Sequence, residues 1–403
     1  MRRIAAPLVL SATVALTVLG GPAATAAPAA DSASAPGHGA DVRFATYNAS
    51  LNRGTQGQLV LDLSTPDNAQ AAAVAEIIQR TRPDVLLINE FDYDAGNVAL
   101  RLFQDNYLAV SRNGSTPIHY PYAYTAPSNT GIPSGFDLNN DGTVGGPDDA
   151  YGFGFFPGQF GMAVYSRFPI DYDHIRTFQK FLWKDMPGAL IPPGWFTPEE
   201  LAVVRLSSKS HWDLPIEIGR ETVHFLVSHP TPPVFDGPED RNGRRNHDEI
   251  RLWADYITPD RAGYLYDDAG RAGGLQPGAD FVIAGDQNAD PYDGDSTAGA
   301  IQQLLDHPLV NTSVTPSSEG AVEQAALQGG VNLTHRTPAR YDTADFAEPP
   351  GNLRADYVLP RKSLRIVQAA VFWPTTDDPL FRLVGVFPFP TSDHKLVWID
   401  LRL

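Results

Sequence analysis

Two short stretches of the sequence carry side chains suited to acid–base chemistry and to binding a hard cation. In GDQN (285–288), Asp286 and Asn288 lie two residues apart, so a carboxylate and an amide can face one pocket. In SDH (392–394), Asp393 and His394 stand together, and such a pair is typical of general acid–base catalysis near neutral pH. Each motif alone is equally typical of a turn or a structural side chain. Their chemistry therefore depends on what the fold places beside them.

Polar residues of this kind recur wherever an apolar run predicts a buried strand. Asp286 follows FVIA (281–284) and His394 precedes the alternating stretch 396–401. The other predicted strand ends carry Asn48, Glu90, His229 and Asp356. Because strand ends on one edge of stacked sheets converge, this recurrence predicts a single pocket. Glu90 is a candidate metal ligand, since a carboxylate is costly to bury unless it is paired or bound to a cation.

The ordered motifs TYN, NE, SH, GDQN, DYVL and SDH resemble those of the endonuclease/exonuclease/phosphatase superfamily, the fold of DNase I, exonuclease III and neutral sphingomyelinases. The resemblance covers residues 42–403. It implies an α/β (α+β) fold, a four-layer α/β/β/α sandwich of two packed mixed β-sheets, with a divalent cation at the cleft. Asp92 stands where DNase I carries an arginine that reads the DNA groove, which argues against duplex binding of that kind.

The resemblance also implies roles for individual residues. Asn48, Glu90 and Asp393 are expected to bind Mg²⁺ or Mn²⁺, and Asp286 to orient or deprotonate the attacking water. Asn288 and His229 are expected to contact the phosphoryl group, and Asp356 to orient the catalytic His394. The chemistry of the side chains agrees, because oxygen ligands suit a hard cation rather than zinc.

These residues predict a metal-dependent phosphoester hydrolase, and a phosphodiesterase rather than a monoesterase. Hydrolysis needs a positioned water, neutralised phosphoryl oxygens and a proton for the leaving oxygen. Nucleic acid, a lipid headgroup and a small phosphodiester are all candidate substrates. The alternative is a noncatalytic, calcium-stabilised extracellular binding protein on the same fold. The presence of Glu90, Asp286 and His394 together favours the enzyme, since a binding module has no need of all three.

A separate acidic stretch, DLNNDGTVGGPDD (137–149), has the spacing of a calcium-binding loop. Its candidate ligands at loop positions 1, 3, 5, 7 and 12 are Asp137, Asn139, Asp141, Thr143 through its carbonyl, and Asp148. The spacing resembles the loops of dockerin modules and EF-hands, although Asp replaces the closing Glu and the flanks are not helical. We expect a structural Ca²⁺ loop inserted in a surface excursion, the alternative being an acidic turn without metal.

The composition and the N-terminal stretch predict an exported protein. Arg2 and Arg3, an apolar run and the small residues of AATAA predict a signal peptide over 1–26, and residues 27–40 form a leader too poor in apolar side chains to fold. The chain lacks cysteine, which excludes disulfides, and its formal net charge of −17 disfavours broad adhesion to polyphosphates. No later run is long enough for a membrane span. We expect a secreted monomer whose catalytic domain covers 41–403.

A helix is predicted from Asn246 onward, with Asn246 as the N-cap and Asp248 and Glu249 in the first turn. Arg244 and Arg245 precede it and are candidates for binding a substrate phosphate, the alternative being a solvated, salt-bridged loop. Residues 307–352 carry weak signals and are expected to form loops.

Overall fold

The computed structural model describes residues 41–403, so the predicted signal peptide and leader lie outside the described residues. No helix within this range is both long and apolar enough to cross a membrane. The strands are β1 (Asp41–Leu51), β2 (Val85–Phe91), β3 (Tyr122–Tyr124), β4 (Met162–Ser166), β5 (Arg176–Thr177), β6 (His211–Ile218), β7 (Glu221–Ser228), β8 (Asp280–Asp286), β9 (Ala344–Asp345), β10 (Asn352–Leu353), β11 (Asp356–Pro360), β12 (Arg365–Val371) and β13 (Val397–Arg402). The α-helices are α1 (Gln58–Leu63), α2 (Ala69–Thr81), α3 (Val98–Phe103), α4 (Pro198–Leu201), α5 (Arg241–Tyr256), α6 (Gln302–Leu305) and α7 (Glu319–Gln328).

Two mixed sheets form the centre of the described structure. The first has the strand order β12-β13-β1-β2-β4-β3, and the second has the order β11-β8-β7-β6-β5. In each sheet one neighbouring pair is parallel, β1 with β2 and β7 with β8, while the remaining neighbours are antiparallel. The sheets pack face to face, as shown by Phe44 of β1 against Phe225 of β7 with ring centroids 5.7 Å apart.

A long helix covers the outer face of each sheet. Val74 and Ile78 of α2 pack on Leu86 of the first sheet, and Trp253 of α5 packs on Ile283 of the second. Alternating apolar side chains along a strand supply both faces, which is what a sheet buried on two sides requires. The four-layer α/β/β/α sandwich expected from the sequence is thereby confirmed.

Two local predictions about secondary structure are wrong. The helix predicted from Asn246 begins earlier, at Arg241, and Asn246 lies fully buried inside it. Its amide donates to the carbonyl oxygens of Thr231 and Gln287, both at 2.8 Å, so it serves tertiary contacts and not the helix end. Residues 307–352, expected to be loops, contain α7, whose N-cap Ser318 accepts a hydrogen bond from Ala321 N.

Candidate active site

An irregularity in the pairing of β1 and β2 brings Asn48 and Glu90 together. Asn48 pairs with Asn89 and Leu51 with Phe91, so two residues of β1 lie opposite Glu90. Glu90 has φ 58°, a left-handed conformation that costs energy for a residue with a side chain. Such a bulge redirects side chains. Here Asn48 Nδ2 donates to Glu90 Oε1 at 3.1 Å, and Asn52 Nδ2 donates to Glu90 Oε2 at 2.7 Å.

Asp286, the last residue of β8, is the point where both sheets meet. Its Oδ2 accepts a hydrogen bond from Asn48 Nδ2 at 3.1 Å, across from the first sheet. The same oxygen lies 3.4 Å from His229 Nε2 and 3.5 Å from His394 Nε2. Its Oδ1 accepts from the backbone N–H of Asn288 at 2.9 Å. One buried carboxylate therefore contacts four of the residues singled out from the sequence.

His394 lies between two carboxylates. Its Nδ1 is 2.8 Å from Asp356 Oδ2, and Thr343 Oγ1 donates to that same oxygen at 2.8 Å. Asp356 stands directly opposite Asp286 in the pairing of β11 with β8. Phe346 packs against the imidazole edge-on, with ring centroids 5.2 Å apart. The ring is therefore held in one orientation, with Nε2 turned towards Asp286.

The environment drives the pKa values of these groups apart. Burial opposes a charged imidazole, but Asp356 and Asp286 outweigh it and hold the pKa of His394 well above its usual value. Burial raises the pKa of Asp286 to about 7, against the opposing pull of His394. Burial, with Lys209 and His394 nearby, holds the pKa of His229 well below its usual value. A charged imidazole beside a carboxylate poised near neutrality is an arrangement suited to acid–base catalysis.

Asn48, Glu90 and Asp393 remain the candidate ligands for a hard divalent cation, although Asn48 turns its Nδ2 towards Glu90 and Asp286 while its Oδ1 accepts from Ser50 N at 3.2 Å. Burial raises the pKa of Glu90, and Asp393 lies near enough to raise it further, so negative charge is concentrated here. Carboxylate and amide oxygens are the ligands that Mg²⁺ and Mn²⁺ prefer. Asp286, Asp356 and His394 also offer ligand atoms within 4.8 Å of one another. Both ring nitrogens of His394 face carboxylates, however, and a protonated imidazole cannot ligate a metal.

Lys209 enters the same site, although no sequence pattern singled it out. Its side chain is only 7% exposed, and among residues 41–403 it has no hydrogen-bond partner and no ion pair. Burial lowers its pKa, while Glu249, Glu90 and Asp286 raise it. Its position follows from the pairing of strands and not from a local sequence signal: β6 is antiparallel to β7, and His211 pairs with Ser228. Residues just before β6 therefore share the sheet edge that carries His229.

Among the residues that the structure describes, neither of the two arginines predicted to bind a substrate phosphate contacts Asp286 or His394. Arg245 is half-buried and donates to the backbone carbonyl oxygens of Leu206, Arg205 and Tyr151. Arg244 donates through Nε to the carbonyl oxygen of Glu239 at 3.1 Å. Both guanidinium groups thus hold the ends of loops together.

The residues of the predicted calcium loop bond mainly to their own backbone. Asp137 accepts from the N–H groups of Asp141 at 3.1 Å and Gly142 at 2.8 Å; Asn139 also accepts from Asp141 N, and Asp141 accepts from Thr143 N. Asp148 is exposed, and the neighbouring residue Asp149 closes the loop from a buried position. Its carboxylate accepts from Leu138 N and Gly145 N, each at 2.7 Å.

Comparison with known proteins identifies the family. Solved structures similar to this chain include an endonuclease/exonuclease/phosphatase from Beutenbergia cavernae (17% identity, TM-score 0.48, 90% of this chain and 72% of that one). Others are sphingomyelinase C from Streptomyces griseocarneus (14%, TM-score 0.47, 90% and 99%) and beta toxin from Staphylococcus aureus (13%, TM-score 0.45, 89% and 99%). No curated protein matches the chain. The profile of the Endonuclease/Exonuclease/phosphatase family matches residues 45–394, and the chain therefore belongs to this family of phosphoester hydrolases.

Proposed function

We propose that this protein is a secreted, divalent-metal-dependent phosphodiesterase. The observation that carries the proposal is the position of Asp286 between Asn48, which binds Glu90, and His394, which binds Asp356. Its carboxylate thus contacts Asn48, a proposed metal ligand, on one side and His394, the proposed proton donor, on the other. Phosphoryl transfer requires little more than such positioning and charge stabilisation.

Each residue has a defined part in the proposed reaction. Asp286, with a pKa of about 7, takes a proton from the water that attacks phosphorus. His394 gives a proton to the leaving oxygen as the ester P–O bond breaks, and Asp356 keeps that imidazole charged and aligned. Asn288, whose amide is held at Pro230 O at 3.1 Å, and His229 contact the phosphoryl oxygens. A bound Mg²⁺ or Mn²⁺, held by Asn48, Glu90 and Asp393, supplies further neutralisation of phosphoryl charge.

Hydrolysis of bis(p-nitrophenyl) phosphate tests this proposal. We expect activity with Mg²⁺ or Mn²⁺, its loss on chelation, and a loss of roughly 10²- to 10⁴-fold in kcat in Asp286→Ala and His394→Ala. The chain offers a matched control, since His174 forms an exposed pair with Asp171 at 2.6 Å. His174→Ala should retain full activity. Turnover that survives chelation, or that is unchanged in both site variants, contradicts the proposed mechanism.

We also propose that the 137–148 loop binds Ca²⁺ for stability and not for catalysis. The support is the spacing of Asp137, Asn139, Asp141, Thr143 and Asp148 together with the close approach of the first three to one another. Calcium should raise the Tm, and Asp141→Ala should remove that gain while leaving kcat unchanged. A Tm that is insensitive to calcium refutes the loop proposal alone.

Export is the third part of the proposal and rests on residues 1–26. Fusing residues 1–40 to a reporter enzyme should deliver the reporter to the medium, and replacing Arg2 and Arg3 by Glu should retain it in cells.

A further inference from the structure

A cavity of about 500 Å³ opens directly onto the candidate active site. Glu90, Lys209 and His229 line its inner end, so these three residues belong to both the cavity and the site. Phe160 also lines the cavity, and its backbone N–H donates to the buried Asp92 at 3.1 Å. A ligand in the cavity would therefore lie against whatever phosphoryl group the site holds.

Six aromatic side chains line the cavity. They are Tyr151, Phe153, Phe160, Trp183, Phe196 and Phe235. Phe153 and Phe235 are 49% and 88% exposed, so part of this aromatic surface is open to solvent. A cavity of roughly 150 Å³ already accommodates benzene. This one has room for a substituent of one or two rings.

The charge of the cavity restricts which apolar group fits. Four cationic residues, Arg205, Arg241, Arg245 and Lys209, line it, against the acids Glu90 and Asp148. The guanidinium of Arg205 lies over Tyr151, 3.9 Å from the ring centroid, and its Nη1 donates to Asn129 Oδ1. Quaternary ammonium ligands are bound by aromatic cages whose charge does not oppose them. An excess of arginine and lysine therefore disfavours a choline-type headgroup and favours a flat neutral or anionic ring.

We propose that this cavity binds a flat aromatic group, an aryl ring or a nucleobase, carried by one ester arm of the substrate. The proposal rests on the proposed phosphodiesterase function and deepens it by naming the substrate class. Aromatic rings stack on the faces of Phe, Trp and Arg side chains whatever the arrangement of polar atoms on the ring. The aromatic arm occupies the cavity, the phosphoryl group lies between Lys209 and Asp286, and the other arm departs towards His394.

A series of diesters that share p-nitrophenol as leaving group tests the proposal without changing the bond that breaks. The second arm is methyl, phenyl, thymidine 5′-yl or choline. We expect kcat/KM for the phenyl and thymidine esters to exceed that of the methyl ester by about 10- to 100-fold, the effect of burying one ring. Equal values for methyl and phenyl esters, or a higher value for the choline ester, overturn the proposal.

Two variants change the size of the cavity in opposite ways. Phe153→Ala removes an exposed wall, and Val234→Trp fills space beside Thr231. Both should reduce the phenyl-to-methyl ratio of kcat/KM at least fivefold. Phe387→Ala, at a phenylalanine that is 83% exposed outside the cavity, is the control and should leave the ratio unchanged. A ratio that neither cavity variant alters contradicts the assignment.

Binding of non-hydrolysable phosphonates separates this proposal from the proposed function. Calorimetry should give at least tenfold tighter binding of phenylphosphonate than of methylphosphonate, and Val234→Trp should abolish the difference. If that difference is found while no diester is hydrolysed, the aromatic cavity stands and the hydrolase proposal fails. If diesters are hydrolysed while the two phosphonates bind equally, the hydrolase proposal stands and the cavity proposal fails.

Discussion

Two acidic regions of this protein resemble each other in composition and differ in how their charge is offset. In the 137–149 loop, carboxylates a few residues apart accept hydrogen bonds from N–H groups of their own loop. In the active-site cluster, Glu90, Asp286 and Asp356 come from separate strands and lie largely buried beside one another. Local backbone donors satisfy the first region, as in ordinary Asx turns. The second keeps an excess of buried negative charge that His394 offsets only in part.

The largest effect is expected for Asp356→Asn, which removes one of the two carboxylates that contact His394. Because that anion holds the imidazole pKa above its usual value, its loss lowers the pKa. The descending limb of the pH–rate profile should move to lower pH, and kcat should fall roughly 10²-fold. Asp171→Asn, at the exposed Asp171–His174 pair, should leave both unchanged. An unaltered descending limb in Asp356→Asn would mean that His394 is not the acid.

Lys209→Met asks whether the buried cation acts on substrate or only on folding. Losing a charge-assisted contact to a phosphoryl oxygen should reduce kcat/KM about tenfold. The Tm should not fall, because methionine removes a buried and unpaired charge while keeping the apolar stem. Lys180→Met, at an exposed lysine, provides the control. A lowered Tm with unchanged kcat/KM would make Lys209 a structural residue.

Asp286→Asn measures what the excess charge costs the fold. The pKa of about 7 in the folded state lies above the usual value of 3.8 for an aspartate, so the ionised carboxylate weakens the folded state. That penalty is absent below the unfolded pKa, grows as pH rises between the two values and is complete above about pH 7. With chelator present, the variant should therefore gain a few degrees in Tm at pH 8 and less at pH 5. A Tm at pH 8 equal to that of the wild type would mean that the cluster carries no such penalty.

The last comparison concerns the free energy of unfolding and distinguishes two adjacent residues of the loop, Asp148 and Asp149. Without calcium, Asp149→Ala should lower the free energy of unfolding by about 1–3 kcal/mol, because two backbone N–H groups lose their buried acceptor. Asp148→Ala should change it by less than about 0.5 kcal/mol, since that side chain is exposed. Urea unfolding measures both. If calcium stabilises the protein, Asp148→Ala should lose mainly the free energy of unfolding that calcium adds. Asp149→Ala should be less stable without calcium as well.

The ends of the strands could be predicted from the sequence, whereas the tertiary contacts of the side chains around them could not. Apolar runs followed by Asp286 or preceded by His394 mark buried strands, so the packed sheets and the family were both predicted correctly. The burial of Lys209 depends on how β6 pairs with β7, which no local pattern records. Asn246 has the residue type and the sequence context of an N-cap, yet its side-chain amide donates to two carbonyl oxygens from other segments. Tertiary partners overrode local preference at that position.

That single amide has a consequence for how the site and the cavity are joined. By joining Thr231 O and Gln287 O, Asn246 ties the segment after His229 to the segment after Asp286. The spacing between His229 and Asp286 is thus set from within helix α5, whose first turns also supply Arg241, Asn242 and Arg245 to the wall of the cavity. One helix therefore couples the position of the hydrolytic residues to the shape of the cavity beside them, so a shift of α5 would disturb both together.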